Sequence, residues 1–268
     1  MQTNCIIHEP AEHYHAQRGT YLSSHLLNDA RKSLVLYRKK RDGLIPDQDR
    51  PAYVVGRALH ALALEGRDEF DARYATGGPI NEKTGKPFGS ATKAFAEWAA
   101  QQDKDILTDE QSELIEAMAA SVRGHESAQS LLADGVAEGV VRARYAGTPC
   151  QIRMDWFNPI LNALVDLKTT DDLDWFEADA RRYGYPWQLA FYRAVLAAGA
   201  GCAPEDITCH FIAVEKKEPY RCGIWRVAND VLAICQADNE AVMDRIREAE
   251  RTGVWPTGYE EPRTMSVL

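Results

Sequence analysis

The sequence predicts a mixed α/β fold, a central β-sheet flanked by helices and preceded by a helical first half. Two observations carry this. Apolar positions recur at helical spacing up to about residue 135, and from residue 136 they alternate or form short β-branched runs. Beyond that point three strands, a helix, two strands and a helix follow one another, an order that suits a mixed sheet with helices packed on it. No Gly-, Ser- or Pro-rich linker cuts the 268 residues. The expectation is therefore a single domain over residues 1–268, with 1–135 mainly helical and 136–268 forming the sheet-containing core.

The elements follow in order. "LSSHLLNDARKSLVLYRKK" offers Ser23 or Ser24 as an N-cap ahead of an apolar-periodic helix. "VVGRALHALALEG" predicts a second helix, with Gly66 placed to end it. Residues 76 to 90, "TGGPINEKTGKPFGS", read as a surface loop. A third helix runs through "ATKAFAEWAAQQ". A fourth starts at Thr108, which with Gln111 fits a capping box, and continues through "SELIEAMAASVRGH". "VAEGVVRARY", "CQIRMDWF" and "LNALVDLKTT" predict three strands, the last two separated by a turn at Asn158-Pro159. "PWQLAFYRAVLAAG" predicts a helix, "ITCHFIAVEK" and "RCGIWRVA" two more strands, and "NDVLAICQADNEAVMDRIREAERTG" a long closing helix.

Composition narrows the function classes. The chain is 45% hydrophobic and 26% charged, as in ordinary soluble proteins. No apolar run approaches the roughly 20 residues of a membrane span, and the first residues lack the basic start and apolar centre of a signal peptide. A cytoplasmic protein without membrane contact is expected. Six cysteines, none in a C-x-x-C pair, speak against a zinc ribbon and a secreted disulfide framework, and read most simply as small apolar fillers. A formal net charge of −9 argues against nonspecific coating of nucleic acid, although a local basic track is compatible with it. Residues 31 to 41, "RKSLVLYRKKR", are one candidate track, with a solvated helix face as the equal alternative. Arg142, Arg144, Arg181 and Arg182 are others.

The residues that point to chemistry lie in the central strands. Along "LNALVDLKTT", Leu161, Ala163, Val165 and Leu167 share one face, while Asn162, Leu164, Asp166 and Lys168 share the other. In the preceding strand Gln151, Arg153 and Asp155 face one way, and Ile152, Met154 and Trp156 the other. If the two strands pair as a hairpin, Asp155 approaches Asp166 on the face that bears Lys168. Two close carboxylates repel unless a cation lies between them, and hard oxygen ligands suit Mg²⁺. A solvated Asp166–Lys168 ion pair is the plain alternative. Three further features fall where such chemistry would use them: His60 in "GRALH"; Gln188 and Tyr192 on one helix face in "QLAFY"; and Glu138, an acid inside an apolar strand that needs a partner or an ion.

Taken together, G-x-x-x-H, a strand Glu, Asp, D-x-K and Q-x-x-x-Y resemble the PD-(D/E)XK nuclease superfamily, and in particular the RecE-type exodeoxyribonuclease VIII catalytic domain of phages and prophages. "YLSSHLLNDARKSLVLY", "VVGRALHALALEGRDEF", "ILTDEQSELIEAMAASVRGHESAQSLL" and "TGVWPTGY" follow that family's order over nearly the whole chain. The resemblance implies the PD-(D/E)XK fold, with Asp155 and Asp166 coordinating Mg²⁺ (Mn²⁺ as a substitute), the Leu167 carbonyl as a backbone ligand, and His60 and Glu138 as additional ligands. It implies that Lys168 positions the attacking water, that Gln188 and Tyr192 support the site and the DNA strand, and that Arg57 meets a phosphate. Met154 stands where the family motif often has Pro. The implied activity is Mg²⁺-dependent exonucleolytic digestion of one strand of linear duplex DNA, 5′ to 3′, leaving 3′ single-stranded tails for recombination. The implied partners are double-stranded DNA ends, other copies in a ring-shaped homo-oligomer and a single-strand annealing recombinase, in a bacterial or phage-infected cell. A related endonuclease or repair nuclease and a non-catalytic DNA-binding module on the same fold are the alternatives. The even spacing of Cys202, Cys209, Cys222 and Cys235 disfavours the iron–sulfur type of repair nuclease, and retention of His60, Asp155, Asp166 and Lys168 disfavours the non-catalytic module.

Overall fold

A computed structural model describes residues 3–46 and 51–265. The helical first part comprises α1 (Ala11–Ala16), α2 (Ser24–Lys32), α3 (Leu34–Arg41), α4 (Pro51–His60), a π-helical segment (Ala61–Glu65) and α5 (Arg67–Arg73). The short strands β1 (Tyr74–Ala75), β2 (Ile80–Asn81) and β3 (Lys86–Pro87) follow, then α6 (Lys93–Ala99), β4 (Asp105–Ile106), α7 (Asp109–Gly124) and α8 (Glu126–Leu131). The main sheet holds β5 (Val136–Tyr145), β6 (Thr148–Asn158), β7 (Ala163–Thr170), β8 (Thr208–Glu215) and β9 (Cys222–Arg226), in that spatial order. Helices α9 (Phe176–Tyr183) and α10 (Tyr185–Ala200) form the crossover that makes β7 and β8 parallel, whereas the other neighbouring pairs are antiparallel, and α11 (Asn229–Thr252) closes the chain.

Local chemistry accounts for the departures from the sequence expectations. The first predicted helix is two helices. Ser33 is extended (φ −167°), and its hydroxyl accepts the Leu36 N–H, so a second N-cap interrupts the run that Ser23 begins by accepting from Leu26. Thr108 and Gln111 form both halves of the expected capping box. Gly66, at φ +101°, ends the second helix after a π-type turn in which its N–H donates to the Ala61 carbonyl. The loop at 76–90 contains the β2–β3 ribbon, and α6 begins only after its Thr92 cap. Helix α9 was not expected from the apolar pattern. Asn158 makes the β6–β7 turn by accepting the N–H groups of Ile160 and Leu161, while its amide donates to the carbonyls of Leu131 and Ala133.

Both faces of the sheet are covered. One core joins α2, α3, α10 and α11 to the side of β7 that carries Leu164; the other joins α4, the π segment, α5, α7 and α8 to the side that carries Ala163, Val165 and Leu167. Leu189 to Ala197 are buried without a break, so α10 lies inside the protein rather than on it. The Asp166 and Lys168 face of β7 is therefore no solvated surface: Asp166 is 1% exposed and α10 lies over it. Among the described residues no helix is long and apolar enough to cross a membrane, and the six cysteines are free, with Cys150, Cys209 and Cys235 buried.

Candidate metal centre

The sheet forks where the site lies. β6 and β7 pair only from Trp156 to Asn158 against Val165 to Ala163. Before Trp156 the strands part, and Leu22, at the entrance to α2, pairs beside Cys150 instead. Asp155 stands at the apex of this fork. Strand alternation also slips there. Met154 belongs to the α10 core and Trp156 to the α4 core, although residues two apart on a regular strand share a face. The expected grouping of Trp156 with Met154 is thus corrected, and the physical cause is on the neighbouring strand: Glu138, facing Asp155 between the pairs Ala137–Trp156 and Gly139–Met154, has φ +53°.

A fork leaves backbone groups without ladder partners, and side chains take them up. Asp155 Oδ2 accepts the Leu167 N–H at 2.9 Å. His60, the last residue of α4, donates from Nε2 to the Leu167 carbonyl at 2.9 Å. A carbonyl can only accept, so Nε2 carries the proton, and in the neutral ring Nδ1 presents its lone pair 3.7 Å from Asp155 Oδ1. Ligand atoms of His60, Glu138 and Asp155 all lie within 4.8 Å of one another. Burial, and then the charge of Asp155, push the Glu138 carboxyl well above the ordinary carboxylate range, against the pull of Arg153 and His60. Arg153 Nε stands 3.0 Å from Glu138 Oε2.

The second half of the site lies across β7. Lys168 Nζ is 2.5 Å from Asp166 Oδ2, and Gln188 donates to Asp166 Oδ1 at 3.3 Å and to the Tyr192 hydroxyl at 3.2 Å. Burial lifts the Asp166 carboxyl above its usual range, with Lys168 opposing the shift and Asp155 adding to it. Burial works against the charge of Lys168 as well, but Asp166 and Asp155 outweigh it and hold the ammonium more strongly protonated than a free lysine. The ammonium also sits 4.9 Å from the centroid of the Tyr185 ring.

Residues 23–264 match the family described as a PDDEXK-like domain of unknown function (DUF3799). The chain belongs to that family. A presumed exonuclease from Eubacterium rectale, known from a crystal structure, aligns with this PDDEXK-like chain over 98% of its residues and over 97% of the E. rectale chain, with a TM-score of 0.67 at 17% identity. The two share a fold. A phage-related exonuclease from Haemophilus somnus 129PT aligns over 66% of this chain and 91% of its own, with a TM-score of 0.33 at 11% identity, too distant to bear on the fold. No curated protein matches the chain.

The donor set of the PDDEXK-like domain fits a divalent cation. Two half-buried carboxylates beside one imidazole nitrogen are a mixed oxygen and nitrogen set of the kind that binds Mg²⁺ or Mn²⁺, and a cation there would offset the repulsion that Asp155 adds to burial in raising the Glu138 carboxyl. Of the residues singled out from the sequence, His60, Glu138 and Asp155 converge, Asp166 and Lys168 pair next to them, and Gln188 holds Asp166 and bonds Tyr192. The Leu167 carbonyl is engaged by His60. Arg57 is exposed, one turn before His60, and its side chain bonds Tyr74. The basic segment 31–41 is largely paired: Lys40 with Asp29, Arg38 with Asp42, Arg41 with Glu250, while Arg31 bonds Asn28 and Asn239. Arg142 is likewise held by Glu9. Two contributors were missed. Arg153 was legible as the residue two before Asp155 on its strand, and Tyr185 as the residue three before Gln188 on its helix.

Proposed function

We propose that this protein is a metal-dependent exodeoxyribonuclease that digests one strand of linear duplex DNA. The observation that carries the reading is the fork itself, where His60, Glu138 and Asp155 converge against the Leu167 backbone with the Asp166–Lys168 pair beside them. His60, Glu138 and Asp155 would hold the cation, with Asp166 next to them; a divalent ion there neutralises phosphate charge and acidifies water. The chain's own part is largely positioning. Lys168 stays protonated, so it acts as a donor: it orients a water or a phosphate oxygen and offsets developing negative charge, and it takes no proton. Asp166 fixes that ammonium, Gln188 fixes Asp166, and Tyr192 fixes Gln188.

The finer assignment rests on the sequence resemblance: a RecE-type enzyme working 5′ to 3′ from double-stranded ends, assembled as a ring-shaped homo-oligomer, using Mg²⁺ and handing 3′ tails to a single-strand annealing recombinase in the cytoplasm. The test compares wild type with Asp166→Ala on linear and on covalently closed circular duplex DNA, with Mg²⁺ and with EDTA. Mg²⁺-dependent release of nucleotides from the linear form alone, lost in the variant, is the expected result. Nicking of the circle would replace the reading with an endonuclease. No cleavage of either form by folded protein would leave a DNA-binding module.

A further inference from the structure

A line of aromatic and cationic groups leads from the half-buried Lys168 to solvent. Lys168 Nζ lies 4.9 Å from the centroid of the Tyr185 ring; the Tyr185 and Tyr183 rings are 5.8 Å apart with planes inclined by 32°; and the Arg182 guanidinium stands 5.6 Å over Tyr183. Accessibility rises along it. The Lys168 side chain is 16% exposed, Tyr185 is half-buried and Tyr183 is 52% exposed. Gly184 makes the line possible. It ends α9 at φ +81°, where a Cβ would meet Asn28 Oδ1 at 3.2 Å, and the chain reverses there so that side chains two residues apart come into ring contact.

We infer that Tyr183 is the stacking platform for an unpaired nucleobase of the strand whose phosphate reaches Lys168. This deepens the nuclease reading and rests on the place of Lys168 within it. A lone exposed tyrosine is ordinary surface. Here the ring continues a row of tilted aromatic contacts that ends on a charged donor inside the site, and its outer end is basic. Arg181 and Arg182 are both exposed. Glu177, which accepts the Trp225 indole N–H, and Asp179, near Tyr185, lie earlier on the same helix, so the basic end is its last turn, Arg181 and Arg182. Aromatic faces flanked by arginines are what an unpaired polyanionic strand with planar bases binds, largely without regard to sequence.

The experiment uses the full chain in EDTA and a 5′-phosphorylated single-stranded oligodeoxynucleotide with 2-aminopurine as its terminal base, whose fluorescence falls when the base stacks. Wild type is expected to quench it. Tyr183→Ala should lose the quenching and bind roughly 10- to 100-fold more weakly, while Tyr183→Phe should keep both. The exposed position lets each variant be checked for an unchanged melting temperature. Unaltered quenching and affinity in Tyr183→Ala, or equal loss in Tyr183→Phe, would overturn the platform. Because the readout needs no cleavage, the two readings fail separately. Quenching without Mg²⁺-dependent digestion of linear duplex removes the nuclease and keeps the base site, and digestion without quenching does the reverse.

Discussion

Replacing Lys168 by Met tests whether the Asp166–Lys168 contact is a buried ion pair, and its cost follows from the geometry. Asp166 is 1% exposed and its partner ammonium is 2.5 Å away. At an effective dielectric constant of about 20 the gross attraction is about 6–7 kcal/mol, most of it offset by desolvation. Removing the lysine strands a carboxylate beside Asp155, and the stranded group escapes by taking a proton. From an ordinary pKa of about 3.9, protonation at pH 7 costs about 4 kcal/mol, and at pH 5 about 1.5 kcal/mol. Those figures are ceilings on the charge penalty. The folded-state pKa of the stranded acid lies above its unfolded value, so the penalty is absent below about pH 4 and grows as pH rises. Burial already lifts Asp166 in wild type, which therefore carries part of this penalty, so Lys168→Met should lose about 1–3 kcal/mol at pH 7 and less than about 1 kcal/mol at pH 5. Asp166→Asn combined with Lys168→Met should recover most of that loss at pH 7. Urea unfolding in EDTA at the two pH values reads all of this. A loss in Lys168→Met below about 1 kcal/mol with no pH dependence would refute the buried pair and return the residues to a solvated contact.

Two further outcomes are expected. Asp155→Asn should weaken Mn²⁺ or Mg²⁺ binding at least 10-fold by calorimetry and reduce the rise in melting temperature that saturating metal gives wild type; an unchanged isotherm would remove Asp155 from the metal set. Glu215 is buried and held by two Arg221 bonds at 2.9 and 2.7 Å, which bring its pKa down to about 2 with help from the Leu173 N–H. A depressed carboxylate stabilises above its unfolded pKa of about 4.5 and loses that contribution as pH falls toward 2. Glu215→Gln should thus cost about 1–3 kcal/mol at pH 7 and less than about 0.5 kcal/mol at pH 2, and an undiminished cost at pH 2 would mean the charge is not what matters.

The sequence revealed the parts of the site better than their setting. D-x-K on an alternating strand, with an acid before the turn, located Asp155, Asp166 and Lys168, because period-2 patterning and turn residues are local signals. Capping at Ser23 and Thr108 was equally legible. What periodicity could not show is long-range. That α10 buries the polar face of β7 depends on the crossover, not on any residue of β7. The slip between Met154 and Trp156 arises from the backbone of Glu138 on another strand. The split at Ser33 turned on one hydroxyl choosing a cap over a helical turn. The basic look of residues 31 to 41 dissolved because Asp29, Asp42 and Glu250 meet it in space, two of them close in sequence and one far away.

The fork has a spectroscopic consequence. In a continuous sheet the amide proton of a strand residue is held by a neighbouring carbonyl and is silent about ligands. The Leu167 amide is instead held by a carboxylate oxygen of Asp155, and the carbonyl of the same residue by the His60 ring. Anything that draws Asp155 or His60 aside changes the shielding and the exchange lifetime of that one proton. A single resonance at the centre of the molecule thereby reports on the occupancy of the site, with no substrate turned over and no label added to the surface.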